Sequence, residues 1–483
     1  MERIGAFVRG WWLSLTLGLI GAGLRLPNLE QPSQLVFDET YYAKDAWALL
    51  QNGYESKYVE NADSLIAQGD TDVLLTEPTF IVHPPVGKWL IALGESLYGL
   101  NPFGWRIMAA IVGVAMVIVI HRVALRLFRH QLTAFLASLF FAIDGMAIVH
   151  SRVALLDQFL TFFLLLAFAS LLIDRDRLYS KLQRGDALSW FRPWLVVAIV
   201  LSALAIATKW SALWFAFAFA GFIVLYGMRT RMRLGILDIR KRVWREDLLP
   251  LIPLALFLVP SIYLLSWSSW FLSDNGWMRN AETDTWLPDA LQNLIDYHIA
   301  MWNFHVNLTM AHSYSANPWT WPLQIRPTSF FFESYSNGEN GCTSNSCAAE
   351  VLALGNPLIW WAGTLALLHQ LWRAIRHVDS RAMLILGFFF AGWLPWLFFQ
   401  ERTVFGFYTI ILLPAVVLAL AYSASLFLGS PYQSRLGRAN AALGVGVLVT
   451  ASVAMSIFFY PIWVGEVIPY TYWQLHMWFS SWI

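Results

Sequence analysis

The chain alternates between long apolar runs and short polar connections along almost its whole length. A bilayer core about 30 Å thick is crossed by roughly 20 apolar residues in a helix, and runs of about this length predict 11 transmembrane helices. The predicted spans are residues 11–26, 106–127, 132–150, 153–173, 193–209, 211–228, 248–267, 356–372, 382–399, 404–428 and 440–460. The pattern therefore predicts an all-α integral membrane protein built as one polytopic domain, 1–483.

Composition supports a membrane environment. Hydrophobic residues make up 58% of the chain and charged residues only 13%, and the mean hydropathy is +0.54. A chain with this balance does not form a water-soluble globule. The net charge of +1 says little about partners. A basic run at 229–245 resembles a nucleic-acid patch, but it lies between two apolar spans, so we expect no nucleic-acid partner.

Basic residues occur in alternate connections, which predicts the orientation of the chain. They are concentrated before the first span, at Arg3 and Arg9, and in the segments 122–129, 175–192, 229–245, 373–381 and 435–438. By the positive-inside rule these segments and the N-terminus are cytoplasmic. The loops 27–105 and 268–355 and the C-terminus are then extracytoplasmic. The first span lacks a small-residue cleavage pattern after it, so we expect it to remain as a helix.

The first extracytoplasmic loop, 27–105, carries two adjacent carboxylates, Asp38 and Glu39, between Phe37 and Tyr41. The segment from Leu35 to Leu50 is predicted to be a helix with both acids in its first turn. Negative charge there can simply favour the helix N-terminus. A carboxylate pair among aromatic residues at the membrane edge also suits a base that acts on a lipid-borne substrate. We expect catalysis by Asp38 and Glu39.

Several cations are predicted to lie at the same extracytoplasmic boundary, where they would bind the phosphate of a leaving group in a low dielectric. These candidates are Lys88, Arg106, Arg152, Lys209 and Arg402, with His83 and Asp157 in supporting roles. For each cation the alternative is an anchor whose stem follows apolar surface to the membrane interface. An ion pair between Arg152 and Asp157 that fixes their turn is a further alternative.

The two cysteines, Cys342 and Cys347, stand five apart among turn-forming residues in the loop 268–355. On the oxidising side of the membrane this spacing predicts a small disulfide loop. Two sulfurs without a nearby histidine make a poor zinc site. His298, His305 and His312 recur every seven residues, a spacing of two helical turns that is too long for a shared metal ion. We therefore predict no metal site.

Four motifs in this order resemble the protein O-mannosyltransferases, and the compact length resembles their actinobacterial members. The motifs are Asp38-Glu39, His83-Pro84-Pro85-x-Gly87-Lys88, Ser151-Arg152-x4-Asp157 and Lys209-Trp210-Ser211. The resemblance implies a membrane glycosyltransferase of the GT-C fold. It also implies that the family's paired acids correspond to Asp38 and Glu39. Eukaryotic members carry a β-trefoil insertion for which the loop 268–355 is too short.

The resemblance implies inverting transfer of mannose from a polyprenyl-phosphate donor to Ser or Thr of translocating or secreted proteins in the cell membrane. The expected partners are this lipid-linked donor, a Ser/Thr-containing polypeptide, membrane lipid and the secretion translocon. No cofactor is required, and a divalent metal remains open. The alternative is transfer of a sugar from a polyprenyl phosphate to a lipid or cell-wall glycan. A more distant alternative is a transporter, for which paired repeats would be expected.

Overall fold

The computed structural model describes residues 2–429 and 434–483, with side chains from residue 10 onward, so the side chains of Arg3 and Arg9 lie outside this description. Most of these residues are helical, and six helical segments are long and apolar enough to cross a membrane. The six are Pro102–Phe128, Leu156–Gln183, Trp210–Arg233, Ile239–Ser266, Ser380–Phe398 and Arg435–Val464. The protein is a helical membrane protein with several spans.

The α-helices and strands are numbered in chain order. The helices are α1 Glu2–Arg25, α2 Glu39–Asn52, α3 Ala62–Ala67, α4 Val86–Tyr98, α5 Pro102–Phe128, α6 Gln131–Ile143, α7 Gly145–His150, α8 Leu156–Gln183, α9 Pro193–Ile206, α10 Leu213–Arg233, α11 Ile239–Arg242, α12 Leu251–Ser266, α13 Ser268–Leu272, α14 Asp289–Asn307, α15 Pro357–Arg376, α16 Ser380–Trp393, α17 Leu413–Leu428, α18 Arg435–Val464 and α19 Tyr470–His476. The strands are β1 Ser56–Tyr58, β2 Leu74–Pro78, β3 Thr328–Ser336, β4 Ser346–Ala353 and β5 Ile468–Pro469. Short 3₁₀ turns cover Trp210–Ala212, Pro318–Leu323, Leu394–Phe398, Gly406–Ile411 and Ser480–Trp482.

The centre of the helical bundle is formed by α5, α6, α8 and α17. Helix α5 packs against α1, α4, α6 and α8, while α17 packs against α6, α15 and α16. Every residue of α17 from Leu413 to Ala424 is buried. At the periphery, none of the residues of α12 is buried, although this helix is strongly apolar. An apolar helix with exposed sides needs hydrocarbon around it, which fits a helix that faces lipid.

Two predicted spans are interrupted for identifiable reasons. The span predicted over 132–150 breaks at Asp144, whose carboxylate accepts hydrogen bonds from Met146 N at 3.0 Å and Asn356 N at 3.0 Å. Asp144 thereby caps the start of α7 and ends α6. The span predicted over 404–428 divides into the 3₁₀ turn Gly406–Ile411 and α17. The two interruptions lie at the same end of the bundle, where α7 contacts the turn Gly406–Ile411.

The expectation of an all-α protein is met only in part: the described residues are mostly helical, but they also form two sheets. In the loop 27–105, β1 and β2 pair antiparallel. In the loop 268–355, β3 and β4 form a hairpin, and β5 near the C-terminus pairs with β4. A disulfide between Cys342 and Cys347 closes the end of this hairpin. Strand β4 packs against α7 and α18, at the end of the bundle where the two predicted spans are interrupted.

At the opposite end, a buried ion network joins the helices. Arg192 contacts Asp174 and also Asp247, the latter at 2.5 Å. Arg231 contacts Asp247 at 2.6 Å and Glu246 at 2.8 Å. Since buried charges are tolerated only when they are paired, this network fixes the ends of α8, α9 and α10 relative to the segment before α12.

Candidate active site

The acidic doublet lies where the chain turns sharply into α2. Phe37 has a φ of 49°, a left-handed conformation that is costly for a residue with a side chain. Its ring stacks on Phe330 at 4.8 Å and meets Phe407 edge-on at 5.3 Å. This aromatic packing holds the turn, so that Asp38 becomes the N-cap of α2 and Glu39 its first residue. The helix begins four residues later than the predicted start at Leu35 and extends to Asn52.

Glu39 is fully buried. Arg106 donates from Nε to Oε1 and from Nη2 to Oε2, each at 2.8 Å. The backbone N–H groups of Val36 and Ala154 donate to the same carboxylate at 3.0 and 2.9 Å. Two-pronged pairing of this kind is strong and directional. Glu39 therefore connects the doublet to α5 and to the turn before α8.

Asp38 has a different environment. Its carboxyl is half-buried and makes no capping hydrogen bond within α2. Burial raises the pKa of Asp38 to about 6, with Lys209 lowering it and Asp157 raising it. A carboxylate whose pKa lies just below neutrality is ionised at pH 7 yet basic enough to take a proton from a hydroxyl in a transition state. The two adjacent acids thus have separable roles.

Lys209 and Asp157 form a buried pair with an Nζ to Oδ2 distance of 2.7 Å. Asp157 stands in the first turn of α8, where the helix N-terminus favours negative charge. Lys209 follows α9 directly and also lies over the ring of Tyr408 at 5.3 Å. The alternative of an ion pair between Asp157 and Arg152 is wrong, because Arg152 instead donates to the carbonyl oxygens of residues 25, 27 and 28.

A cavity of about 310 Å³ opens next to this pair. Its polar end consists of His83, Asp157, Lys209, His305, Arg402 and Tyr408. Its walls are largely aromatic and aliphatic, and include Trp214, Phe217, Trp302, Trp396 and Phe399. Several wall residues are exposed on the outside of the bundle, among them Phe217 at 73%. The cavity therefore joins a charged end to a surface that faces hydrocarbon.

Arg402 is arranged as an anion ligand. Its Nε donates to the carbonyl oxygen of His305 at 2.8 Å and its guanidinium lies over the ring of Trp396 at 5.4 Å. Its Nη1 is buried and has no hydrogen-bond partner among the described residues. Because a buried unpaired donor is unfavourable, a hydrogen-bond acceptor that reached this nitrogen would stabilise it.

The other predicted phosphate ligands do not line this cavity. Lys88 is buried against Glu55 at 2.6 Å and Asp45 at 3.6 Å. Arg106 is committed to Glu39, and Arg152 to backbone carbonyl groups. Of the five predicted cations, the structure brings together Lys209 and Arg402. His83, predicted to support the site, lies at the polar end with them.

Sequence reasoning did not assign a role to His305 or Tyr408, which also form the polar end. The seven-residue spacing of histidines drew attention to His305, but His312 lies beyond the end of α14 at Asn307. Among residues 10–429 and 434–483, no three His, Cys, Asp or Glu side chains come together as a metal site. No short sequence signal marks Tyr408, because its place depends on the 3₁₀ turn after Arg402.

The fold is that of the membrane-embedded GT-C glycosyltransferases. It matches a chain of the Saccharomyces cerevisiae protein O-mannosyltransferase Pmt1-Pmt2 complex bound to the sugar donor with a TM-score of 0.73 at 15% identity, over 98% of this chain and 92% of that one. This likeness concerns architecture alone.

Sequence comparison identifies the family. The family described as dolichyl-phosphate-mannose-protein mannosyltransferase matches residues 14–261, and the C-terminal four-transmembrane region of protein-O-mannosyltransferase matches residues 290–482. A polyprenol-phosphate-mannose--protein mannosyltransferase of Mycolicibacterium smegmatis is 33% identical over 98% of this chain and 93% of its own length. The relative of the same name in Mycobacterium tuberculosis is 31% identical over 98% and 92%. The chain belongs to the dolichyl-phosphate-mannose-protein mannosyltransferase family.

Proposed function

We propose that the protein transfers mannose from a polyprenyl-phosphate-mannose donor to Ser or Thr hydroxyl groups of translocating or secreted polypeptides. The observation that carries this proposal is a cavity that is cationic at one end and apolar along its walls. A lipid-linked sugar phosphate has the same division between a charged head and a hydrocarbon tail. Asp38 does not line this cavity, but its pKa responds to Lys209 and Asp157, which do. The names of the similar proteins provide the sugar and the acceptor class.

The reaction is a single displacement at the anomeric carbon of mannose. The acceptor oxygen forms a bond to this carbon as the bond from the carbon to the phosphate oxygen breaks. The acceptor proton passes to Asp38, and the polyprenyl phosphate leaves as an anion. Lys209 and Arg402 stabilise the charge that develops on the phosphate, in a site where low dielectric strengthens the interaction. One displacement inverts the anomeric centre, so a β-linked donor gives an α-linked product.

Charge balance favours Lys209 and Arg402 as the phosphate ligands. Lys209 already pairs with Asp157, so the pair alone is neutral. Arg402 has no carboxylate within ion-pair distance among the described residues, so the phosphate can serve as its direct counter-charge. In this proposal His83 borders the sugar-phosphate head, and Glu39 holds the doublet in place without exchanging a proton.

The proposed topology has eleven spans, with the N-terminus cytoplasmic and the active site and C-terminus extracytoplasmic. The six long apolar segments are joined by three shorter apolar helices, Gln131–Ile143, Pro193–Ile206 and Leu413–Leu428. Helices α1 and α15 complete the set. The basic connections support the orientation. An acceptor chain leaving the secretion translocon would then reach Asp38 from the extracytoplasmic side.

Purified protein in detergent or nanodiscs tests the proposal. It is incubated with polyprenyl-phosphate-[¹⁴C]mannose and either a Ser/Thr-rich peptide or the same peptide with every Ser and Thr replaced by Ala. We expect label only on the hydroxyl peptide, released by an α-mannosidase. Label that enters added lipid or glycan acceptors but neither peptide would contradict protein mannosylation and support the alternative acceptor. A β-linked product would contradict the single displacement.

A further inference from the structure

His305 lies in the last turn of α14 and reaches across to the first extracytoplasmic loop. Its Nε2 is 2.7 Å from the carbonyl oxygen of Val82. A carbonyl oxygen can only accept a hydrogen bond, so this nitrogen must carry the proton. The ring is also stacked on His83, with centroids 5.0 Å apart. The orientation of the imidazole is thus fixed from two sides.

The opposite ring nitrogen faces Arg402. Nδ1 of His305 is 3.3 Å from Nη2 of Arg402. A guanidinium can only donate, so Nδ1 must accept and must be unprotonated. The backbone carbonyl of His305 accepts from Nε of the same arginine at 2.8 Å. The two ring contacts can hold together only in the neutral tautomer with its proton on Nε2.

We propose that His305 is a positioning residue that holds the Arg402 guanidinium so that its free Nη1 binds the phosphate of the lipid-linked donor. The inference rests on the proposed function, because it concerns the phosphate that this function brings into the cavity. Nε and Nη2 of Arg402 both contact His305. The third nitrogen of the guanidinium, Nη1, is buried and has no hydrogen-bond partner among the described residues. His305 thus selects which edge of the arginine faces the donor.

The electrostatic environment keeps the histidine in the required form. Burial lowers the pKa of His305 to about 4, and the neighbouring Arg402 and Lys209 lower it further, against the hydrogen bond to Val82. The imidazole is therefore neutral wherever Asp38 is ionised. A protonated ring could not accept from Arg402 and would repel it. The arginine contact is accordingly independent of pH in the working range of the base.

Two amide substitutions test the contacts of the two ring nitrogens separately. In His305→Asn the amide oxygen can occupy the Nδ1 position and accept from Arg402. In His305→Gln the amide nitrogen can occupy the Nε2 position and donate to Val82, while the acceptor for Arg402 is lost. We expect His305→Gln to weaken equilibrium binding of a fluorescent short-chain polyprenyl phosphate about tenfold, equivalent to about 1.4 kcal/mol. Donor KM should rise similarly with kcat within about twofold, whereas His305→Asn stays within about threefold of the unmodified protein.

A double-mutant cycle and a second arginine variant complete the test. If His305 acts through Arg402, His305→Gln has no further effect on binding in an Arg402→Gln background. Arg402→Lys retains the charge but cannot contact both the backbone carbonyl and the ring of His305. It should therefore bind the phosphate nearly as weakly as Arg402→Gln. This comparison does not depend on the folding of the histidine variants. Equal losses for both amides, an additive cycle or normal binding by Arg402→Lys would each overturn the inference.

These results are distinguishable from failure of the proposed function. If the unmodified protein binds polyprenyl phosphate but transfers no mannose to peptide, the proposed reaction is wrong and the binding comparison still decides the role of His305. If the unmodified protein transfers mannose normally, and His305→Gln binds the lipid phosphate as tightly as the unmodified protein, only the inference about His305 is wrong.

Discussion

Arg106 holds both carboxylate oxygens of Glu39 at 2.8 Å, and both side chains are fully buried. The neighbouring Asp38 has no arginine partner and keeps a raised pKa of about 6, because burial is offset only in part by Lys209 and by a hydrogen bond from the Tyr42 side chain. Two acids that are adjacent in sequence therefore differ in what they can do. One is bound into the structure, and the other can accept a proton.

Replacing Asp38 by Asn should reduce mannose transfer by about a thousandfold, since a positioned general base contributes roughly 10²–10⁴-fold. The change is nearly isosteric, so we expect the melting temperature in detergent to stay unchanged. Glu77→Gln provides the control, because Glu77 is an exposed acid of the same loop that pairs with Lys57. Residual activity of Asp38→Asn above a tenth of normal would exclude it as the base.

Replacing Glu39 by Gln should act mainly on stability. The neutral amide leaves the Arg106 guanidinium buried without a counter-charge, which typically lowers the free energy of unfolding by about 3–5 kcal/mol. Thermal unfolding in detergent measures the loss. The double variant Glu39→Gln with Arg106→Gln removes the stranded charge and should recover part of it. An inactive Glu39→Gln protein with an unchanged melting temperature would instead give Glu39 a chemical role.

Transfer should depend on pH through Asp38. The ionised form is the active base, so kcat/KM should rise about tenfold per pH unit below a pKa of about 6 and level off above it. Lys209 lowers this pKa, so Lys209→Met should move the rise to higher pH, while Asp157 raises it and Asp157→Asn should move the rise to lower pH. The midpoint is compared rather than the maximal rate, because Lys209 also contacts the donor in the proposed mechanism. Midpoints that do not move in these two directions would contradict the assignment.

Replacing Arg402 by Gln should raise the donor KM at least tenfold, because charge-assisted hydrogen bonds to phosphate are strong in a low dielectric. Arg279→Gln is a matched control: Arg279 also lies over a tryptophan, at 5.5 Å from Trp270, and donates to a backbone carbonyl, but it does not line the cavity. The kinetics are measured with varied donor at saturating peptide. An equal effect of both substitutions would show a general response to lost charge.

Hydropathy predicted a mostly helical membrane protein because each helix depends on a local run of apolar residues, but six rather than eleven helical segments are long and apolar enough to cross a membrane. The boundaries failed where a distant polar group intervened, as at Asp144, which is capped in part by Asn356 more than 200 residues away. The strands β3 and β4 escaped prediction since their aromatic and small residues carry no clear alternation. Local patterns alone could not reveal them.

The candidate site was predictable in kind but not in arrangement. The sequence predicted five cations at one membrane boundary. Which of them can bind a ligand depends on whether they already pair with an acid, and these acids come from other segments of the chain. Lys88 meets Glu55, 33 residues earlier, and Arg106 meets Glu39, 67 residues earlier. Asp38 and Glu39 are indistinguishable by sequence for the same reason. The role of His305 depends on contacts to Val82 and Arg402, which only the folded chain brings together.

The cavity has walls from both regions that the family comparisons delimit. Asp157 and Lys209 come from the region 14–261, and His305, Arg402 and Tyr408 from the region 290–482. Neither region supplies all the residues that line the cavity. A chimera that exchanges these regions between relatives would therefore have to preserve the contacts between them around the cavity. Substitutions in one region that change the cavity would require compensating substitutions in the other.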